Sequence, residues 1–403
     1  GNVTSIALTC GVAGTTYSWT VTQSGITGAT ASTGTNITQT LNTTGASIGT
    51  AVYTITPTAN SCNGTPVVVT VSVSPTPNVT ATPGSQSLCS GNTSNIALTS
   101  NVAGTTFSWT VTQTNLTGAS ASTGTNIAQT LSTTTTSSGT AVYTITPSSN
   151  GCGGATTVVT VAVNPTPVMT STNAGVICSA GAITIPLTSN VASAYTWIAA
   201  DNGNTTGEST TTQSTNSINN TITNNTTSAQ IIIYTVTPTS TAGSCVGAPQ
   251  TVSVTVNPTP VMTNTNTAVA CSASSFSIAL TSNVASTYTW IASNNANTTG
   301  ESITTQTATT LSNVITNTTT SAQVVTYTVT PTTSAGSCAG VSQTVSVTVN
   351  PIPVLTSSNS ASICSGNSFS VALTSNIPAT YSWVAANNAN TTGESTTTQS
   401  SST

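Results

Sequence analysis

The sequence predicts an all-β fold, arranged as a tandem array of β-sandwich domains. Three observations lead to this prediction. A cysteine and tryptophan pattern recurs about every 90 residues, apolar residues alternate with polar ones inside each recurrence, and Gly, Asn and Ser separate the short apolar runs. About four and a half copies are present, and the array is expected to form an elongated rod.

Two series of cysteines and one series of tryptophans define the recurrence. The first cysteine series is Cys89, Cys178, Cys271 and Cys364. The second is Cys62, Cys152, Cys245 and Cys338. A tryptophan stands in an equivalent YSW, FSW or YTW context in every copy, at Trp19, Trp109, Trp197, Trp290 and Trp383. Because the spacing is nearly constant, each copy is expected to fold as one domain of about 90 residues.

Pro-x-Pro elements mark the boundaries between copies. Proline favours extended, stiff backbone, so an element such as Pro165-Thr166-Pro167 suits a short interdomain connector. The predicted domains, called copies one to five below, are residues 1–74, 78–164, 168–257, 261–350 and 354–403. Copy one is expected to be truncated at its N-terminal end and copy five at its C-terminal end, since each lacks part of the pattern.

Within a copy the apolar period is two, which is typical of strands with one buried face. In copy two, Ile96 and Leu98 alternate with polar or small neighbours. Six or seven such strands in about 90 residues indicate a two-sheet sandwich, with the tryptophan of the third strand packed in its core. Pro186 replaces an alanine of the repeated IALT strand, and because proline cannot donate to a sheet ladder it is expected to form a bulge or point outward.

The ordered set CSG, YSW, YTxTP, GC and NPTP resembles the PKD-like and bacterial immunoglobulin-like repeats of very large surface adhesins from gliding and related outer-membrane bacteria. The resemblance spans the whole chain. It implies immunoglobulin-like (PKD-like) sandwiches, secretion, display at the cell surface, and a role in adhesion as a spacer or adhesive array. It transfers no catalytic residue to any position of this sequence.

Cysteines that recur in every domain indicate disulfides and an oxidising, extracellular compartment. All eight cysteines of the two series, together with Cys10, are candidates, and two pairing schemes remain open. The first joins the two cysteines of one copy, as Cys89–Cys152, Cys178–Cys245 and Cys271–Cys338.

The second scheme joins neighbouring copies, as Cys89–Cys245 and Cys178–Cys338. Its basis is that an immunoglobulin-like strand order puts the two cysteines of one copy at opposite poles, whereas a disulfide needs Cα atoms within about 7 Å. Under this scheme Cys10 could reach Cys62 in its own copy.

Composition excludes several function classes. The chain of 403 residues has no Lys, Arg or His. Its only acidic residues are Asp201, Glu208, Glu301 and Glu394, and the three glutamates are expected to be solvated loop residues. General acid-base catalysis and nucleic-acid binding therefore lack their usual side chains, and we expect no enzyme activity, no cofactor and no metal site. No apolar run approaches the roughly 18 residues of a membrane helix, so no membrane insertion is expected in this segment.

Two functions remain. The first is a structural stalk or filament segment of a secreted bacterial surface adhesin, acting as a rigid disulfide-stabilised spacer or a self-assembling fibre. The second is a module that contacts neutral glycans or surfaces through faces rich in Thr and Asn. Self-association is expected as well as contact between neighbouring repeats, since almost no charge is present to guard exposed sheet edges.

Overall fold

The computed structural model describes residues 2–403, and among those residues there are strands but no helix. The strands of copy one are β1 (Asn2–Val3), β2 (Ile6–Ala7), β3 (Thr16–Ser24), β4 (Ile26–Thr27), β5 (Ser32–Thr33), β6 (Asn36–Ile37), β7 (Thr40–Thr43), β8 (Gly49–Ala59), β9 (Cys62–Asn63) and β10 (Val67–Val73). Those of copy two are β11 (Thr80–Thr82), β12 (Ser85–Cys89), β13 (Asn92–Thr93), β14 (Ile96–Thr99), β15 (Thr106–Thr114), β16 (Leu116–Thr117), β17 (Ser122–Thr123), β18 (Asn126–Ile127), β19 (Thr130–Thr133), β20 (Gly139–Ser149), β21 (Cys152–Gly153) and β22 (Thr157–Asn164).

Copies three and four have fewer, longer strands. Copy three contains β23 (Ala174–Cys178), β24 (Gly181–Pro186), β25 (Ser193–Ala199), β26 (Thr205–Thr206), β27 (Ser217–Asn224), β28 (Gln230–Ser240) and β29 (Gln250–Asn257). Copy four contains β30 (Thr267–Cys271), β31 (Ser274–Ala279), β32 (Ser286–Ala292), β33 (Thr298–Thr299), β34 (Gln306–Thr307), β35 (Thr310–Asn317), β36 (Gln323–Thr333) and β37 (Gln343–Asn350). Copy five shows only isolated bridges, at Leu355–Ser375 and Trp383–Gln399.

Each of the first four copies is a sandwich with one larger sheet. In copy three this sheet has the order β23-β29-β28-β25, and β24-β27-β26 forms the sheet opposite. The first strand, β23, runs parallel to the last strand, β29, whereas the other pairs are antiparallel. This parallel pair returns in copy two as β12 with β22 and in copy four as β30 with β37. The prediction of an all-β tandem of immunoglobulin-like sandwiches is therefore confirmed.

The alternation seen in the sequence decides which side chains enter the core. In β14, Ile96 and Leu98 are buried and their neighbours exposed, because successive side chains of a strand point to opposite faces. Pro186 is the last residue of β24 and is exposed, as expected for a residue that cannot serve as a ladder donor.

Trp19, Trp109, Trp197 and Trp290 are buried in the four cores. Each core also holds a fully buried tyrosine from the second-last long strand, and Trp197 meets Tyr234 edge-on with ring centroids 5.7 Å apart. Trp383 departs from the prediction that all five tryptophans are core residues, since it is only half-buried. Residues 354–403 include no counterpart of β36 or β37 for its ring to pack against.

Candidate functional site at the junction between copies

The junction has two sides. One copy contributes the ends of its paired first and last strands, and the next copy contributes a hairpin. Cys89 is the last residue of β12 and lies opposite Asn164, the last residue of β22. Because these strands run parallel, both chain segments finish at the same pole of copy two. Cys178 and Asn257 have the same register at the end of copy three.

The partner cysteine lies in the hairpin that follows the YTxTP strand of the next copy. Cys245 is fully buried just after β28, and its N–H donates to Ser240 Oγ at 3.0 Å. Its carbonyl oxygen accepts from Ser240 N–H at 2.9 Å, which closes the turn. In copy four, Thr333 makes the corresponding contacts with Cys338 at 2.9 Å. These hydrogen bonds fix the hairpin in which each cysteine side chain faces the preceding copy.

The structure contains the pairing between neighbours. Cys89 is bonded to Cys245 with Cα atoms 5.5 Å apart, and Cys178 is bonded to Cys338 with Cα atoms 5.6 Å apart. The pairing within a copy is absent from the described residues, because Cys89 lies at the pole of copy two opposite its hairpin. Successive copies are thus joined covalently as well as by their connectors.

The other five cysteines are free thiols in the described chain: Cys10, Cys62, Cys152, Cys271 and Cys364. Cys10 and Cys62 are both exposed and are not bonded to each other, unlike the arrangement considered from the sequence. The Val12 amide, followed by the Thr15 hydroxyl, lowers the pKa of the Cys10 thiol.

Two glycines permit the close approach at each junction. A Cβ on Gly243 would overlap the carboxamide of Asn164 in the preceding copy, and the φ of Gly243 is +75°. A Cβ on Gly247 would overlap the carbonyl oxygen of Pro167 in the connector. Gly336 and Gly340 lie against Asn257 and Pro260 in the same way. Sequence reasoning missed these contacts, although both sides of the junction repeat in the sequence. The glycines lie in the AGSCVG and AGSCAG segments of copies three and four, and their partners lie in the NPTP motifs of copies two and three.

Hydrogen bonds fix the asparagine on its side of the junction. Ser138 Oγ donates to Asn164 Oδ1 at 2.8 Å, and Asn164 Nδ2 donates to Ser87 Oγ at 3.1 Å. The carbonyl oxygen of Asn164 also accepts from Ser90 N–H at 2.8 Å. A buried amide with its donors and acceptors satisfied is a rigid surface for the next copy.

The glutamates of the TTGES loops were expected to be solvated, and this expectation is wrong for two of them. Glu208 Oε1 accepts from Asn202 N–H at 3.3 Å and from the Thr205 hydroxyl at 2.7 Å, while Oε2 is buried without a partner. Glu301 has the equivalent arrangement. Glu394 is half-buried and accepts from Asn388 N–H at 3.1 Å and from the Thr391 hydroxyl at 3.4 Å, and the Asn388 N–H lowers its pKa. The carboxylates of Glu208 and Glu301 therefore stabilise their own loops by accepting hydrogen bonds inside them.

Other chemistry is sparse in the described part of the chain. Residues 2–403 contain no cluster of three or more His, Cys, Asp or Glu that could hold a metal ion. No helix among them is long and apolar enough to cross a membrane. One cavity, of about 720 Å³, lies between the edge of β10 and the backbone around Cys152. Its lining includes no charged side chain and no acid-base pair.

Comparison with known proteins identifies the family. The PKD-like domain family matches residues 2–77, 86–167, 175–260, 268–353 and 361–403. No curated protein matches the chain in sequence.

Several solved structures match the chain at low similarity. The human desmocollin-1 ectodomain is 11% identical, with 92% of this chain and 82% of that chain covered and a TM-score of 0.27. The I67–I69 fragment of the titin I-band is 11% identical, with 68% and 98% covered and a TM-score of 0.34. Mouse cadherin-23 EC22–24 is 11% identical, with 69% and 99% covered and a TM-score of 0.29. On the family match, the chain belongs to the PKD-like domain family and is a tandem array of five such domains.

Proposed function

We propose that the chain is a stalk or filament segment of a secreted bacterial surface adhesin, and that it works as a rigid disulfide-stabilised spacer. The observation that carries the proposal is the bond between Cys89 of copy two and Cys245 of copy three, repeated one copy further along. A covalent bond and a connector at each of these two junctions leave the joined copies little freedom to rotate.

The same bonds support secretion. Disulfides persist in oxidising compartments and are reduced in the cytosol, so a spacer that depends on them belongs outside the cell. The side chains available for chemistry support the same role. With no Lys, Arg or His and four scattered carboxylates, the chain has the means to bear load but not to activate a nucleophile.

Small-angle X-ray scattering tests the proposal directly. Copies about 35–40 Å long, set end to end, form a rod of about 160 Å, whose radius of gyration is about 45 Å. A compact protein of this length has a radius of gyration near 22 Å. The oxidised chain should give the larger value, and a value near the smaller one would contradict a spacer. Measurement after reduction is the control for the contribution of the disulfides.

The proposal includes lateral self-association through uncharged sheet edges. Val176 and Val269 are exposed on β23 and β30, which are edge strands of the larger sheets in copies three and four. Charged residues usually protect such edges, and none lies on either strand. Sedimentation at rising concentration should detect oligomers whose abundance changes little with salt, since the chain carries almost no charge.

A pair of matched variants tests which surface is responsible. The double variant Val176→Lys with Val269→Lys should remain monomeric, because it places a desolvated charge on each edge. Val314→Lys is the control, since Val314 is also exposed but lies on β35 in the middle of its sheet. Equal association of the wild type, the double variant and Val314→Lys would rule out these edge strands as the contact.

A further inference from the structure

The two disulfide bonds close overlapping loops. Cys89–Cys245 closes a loop over 156 positions, and Cys178–Cys338 closes one over 160 positions. The second loop begins at Cys178, before the first loop ends at Cys245, so copy three belongs to both loops. Bonds within single copies would instead close separate loops in series. The order of the four cysteines along the chain therefore decides how tension passes through the array.

Tension along a stalk enters and leaves each copy through its Pro-x-Pro connectors. Between Pro77 and Pro258 the backbone runs for about 181 residues, but the route across Cys89–Cys245 uses only about 25 of them. Fully extended, those residues reach about 90 Å. Two folded copies already span about 70–80 Å. The route across the bond can therefore lengthen only slightly beyond the folded copies. Residues 90–244 are not part of this route.

Because the two loops overlap, either bond alone still limits the extension of copies two to four. With both intact, the shortest route from Pro75 to Pro353 leaves at Cys89, returns from Cys245 to Cys178 and continues from Cys338, about 96 residues or 350 Å. With either bond alone, the route is about 118 to 122 residues, or 425–440 Å. With neither, it is about 278 residues, or 1000 Å.

We infer that the interleaved disulfides give the array a second function, as a redundant tether that limits the extension of copies two to four even when one bond is lost. With both bonds intact, the tensile load on this route passes through the connectors, the two bonds and residues 178–245 of copy three. This inference deepens the proposed role as a spacer, on which its biological meaning rests, but its geometry stands on the bonds alone.

Single-molecule force spectroscopy on the full chain, held by handles at its two ends, measures the tether. The proteins compared are the wild type, Cys89→Ser with Cys245→Ser, Cys178→Ser with Cys338→Ser, and the variant with all four changes. Each paired variant removes both partners of a bond and so creates no additional free thiol. Cys152→Ser is the matched control, because Cys152 is a free thiol of the same hairpin type.

The expected lengths differ sharply. Either paired variant should extend only about 80–95 Å further than the wild type, whereas the fourfold variant should extend about 650 Å further. Reduction of the folded wild type should also add about 650 Å, and Cys152→Ser should add nothing. Because the length is read with every copy unfolded, a loss of stability in a variant leaves it unchanged.

Two outcomes would overturn the inference. Pairing within single copies would instead give a gain of about 470 Å for each paired variant, because each would break two such bonds, and a gain of about 230 Å for Cys152→Ser. A gain of more than about 500 Å from one paired variant would mean that the other bond does not form. Scattering distinguishes this result from a failure of the proposed function, since a compact chain with the expected lengths would retain the tether and refute the spacer.

Discussion

Gly243 of copy three lies directly against the carboxamide of Asn164 in copy two, so closely that a Cβ would occupy the space of the amide. The contact lies beside the Cys89–Cys245 bond and has an equivalent at Gly336 and Asn257 one copy later. Two features favour glycine at this position. A Cβ would overlap Asn164, and the φ of +75° disfavours residues other than glycine.

Gly243→Ala should therefore disturb the junction. Strain in the left-handed region together with the overlap at Asn164 should cost about 1–3 kcal/mol and move the hairpin away from copy two. Non-reducing peptide mapping during oxidative refolding should find less Cys89–Cys245 and more free Cys245 than in the wild type. Gly203→Ala is the control, because a Cβ at Gly203 meets nothing and its bond yield should be unchanged. Equal yields for both variants would show that the contact does not guide pairing.

Sequence periodicity predicted the sandwiches because strand alternation is local. The inward direction of Ile96 and Leu98 follows from the strand alone, as does the outward direction of Pro186. Pairing of Cys89 could not be decided in this way, since it depends on how two separately folded copies meet. The same limit applies to Glu208, whose partners Asn202 and Thr205 are close in sequence but depend on the loop conformation.

Buried tyrosines should make the stability fall at alkaline pH. Burial raises the pKa of Tyr143 to about 12, and burial followed by the charge of Glu208 raises the pKa of Tyr234 further. A raised folded-state pKa means that the unfolded chain loses its phenolic protons first, so stability is fully present below about pH 10 and is lost above it.

Thermal unfolding of the alkylated protein between pH 6 and pH 11.5 measures this effect. The midpoint should change little up to about pH 9, because the chain has no His or Lys to titrate there, and should fall above about pH 10. Tyr143→Phe should reduce the alkaline fall. At neutral pH it should also cost about 1 kcal/mol, because Tyr143 donates to Gln129 Oε1 at 2.8 Å. A fall that begins below pH 8 would implicate another group.

The buried carboxylate of Glu208 predicts different effects for two substitutions. Glu208→Ala removes the acceptor of Asn202 N–H and Thr205 Oγ1, and should destabilise the loop by about 1–2 kcal/mol. Glu208→Gln keeps an acceptor and removes a buried charge whose Oε2 has no partner, so it should be neutral or stabilising. Hydrogen exchange of residues 200–209 measures both. Glu394→Gln is the control, because Glu394 accepts from the equivalent Asn388 and Thr391 but has no buried oxygen without a partner. Faster exchange in Glu208→Gln would contradict this role of the charge.

Trp290 offers a way to stabilise copy four. Trp197 Nε1 donates to Thr215 Oγ1 at 3.0 Å, and Trp383 Nε1 donates to Ser401 Oγ at 3.1 Å. Trp290 Nε1 is buried without a partner, and Ala308 stands at the position equivalent to Thr215. Ala308→Thr should supply the acceptor, stabilise copy four by about 1 kcal/mol, and slow hydrogen exchange of the β32 amides about fivefold.

Ala308→Val separates the hydrogen bond from the added bulk, because valine has the shape of threonine without the hydroxyl group. It should leave exchange in β32 close to the wild-type rate, while the same amides are protected in Ala308→Thr. A downfield shift of the Trp290 indole N–H resonance in the threonine variant alone would report the new bond. Equal protection in both variants would mean that the added bulk at residue 308 stabilises copy four. The unpaired indole N–H would then have little effect on its stability.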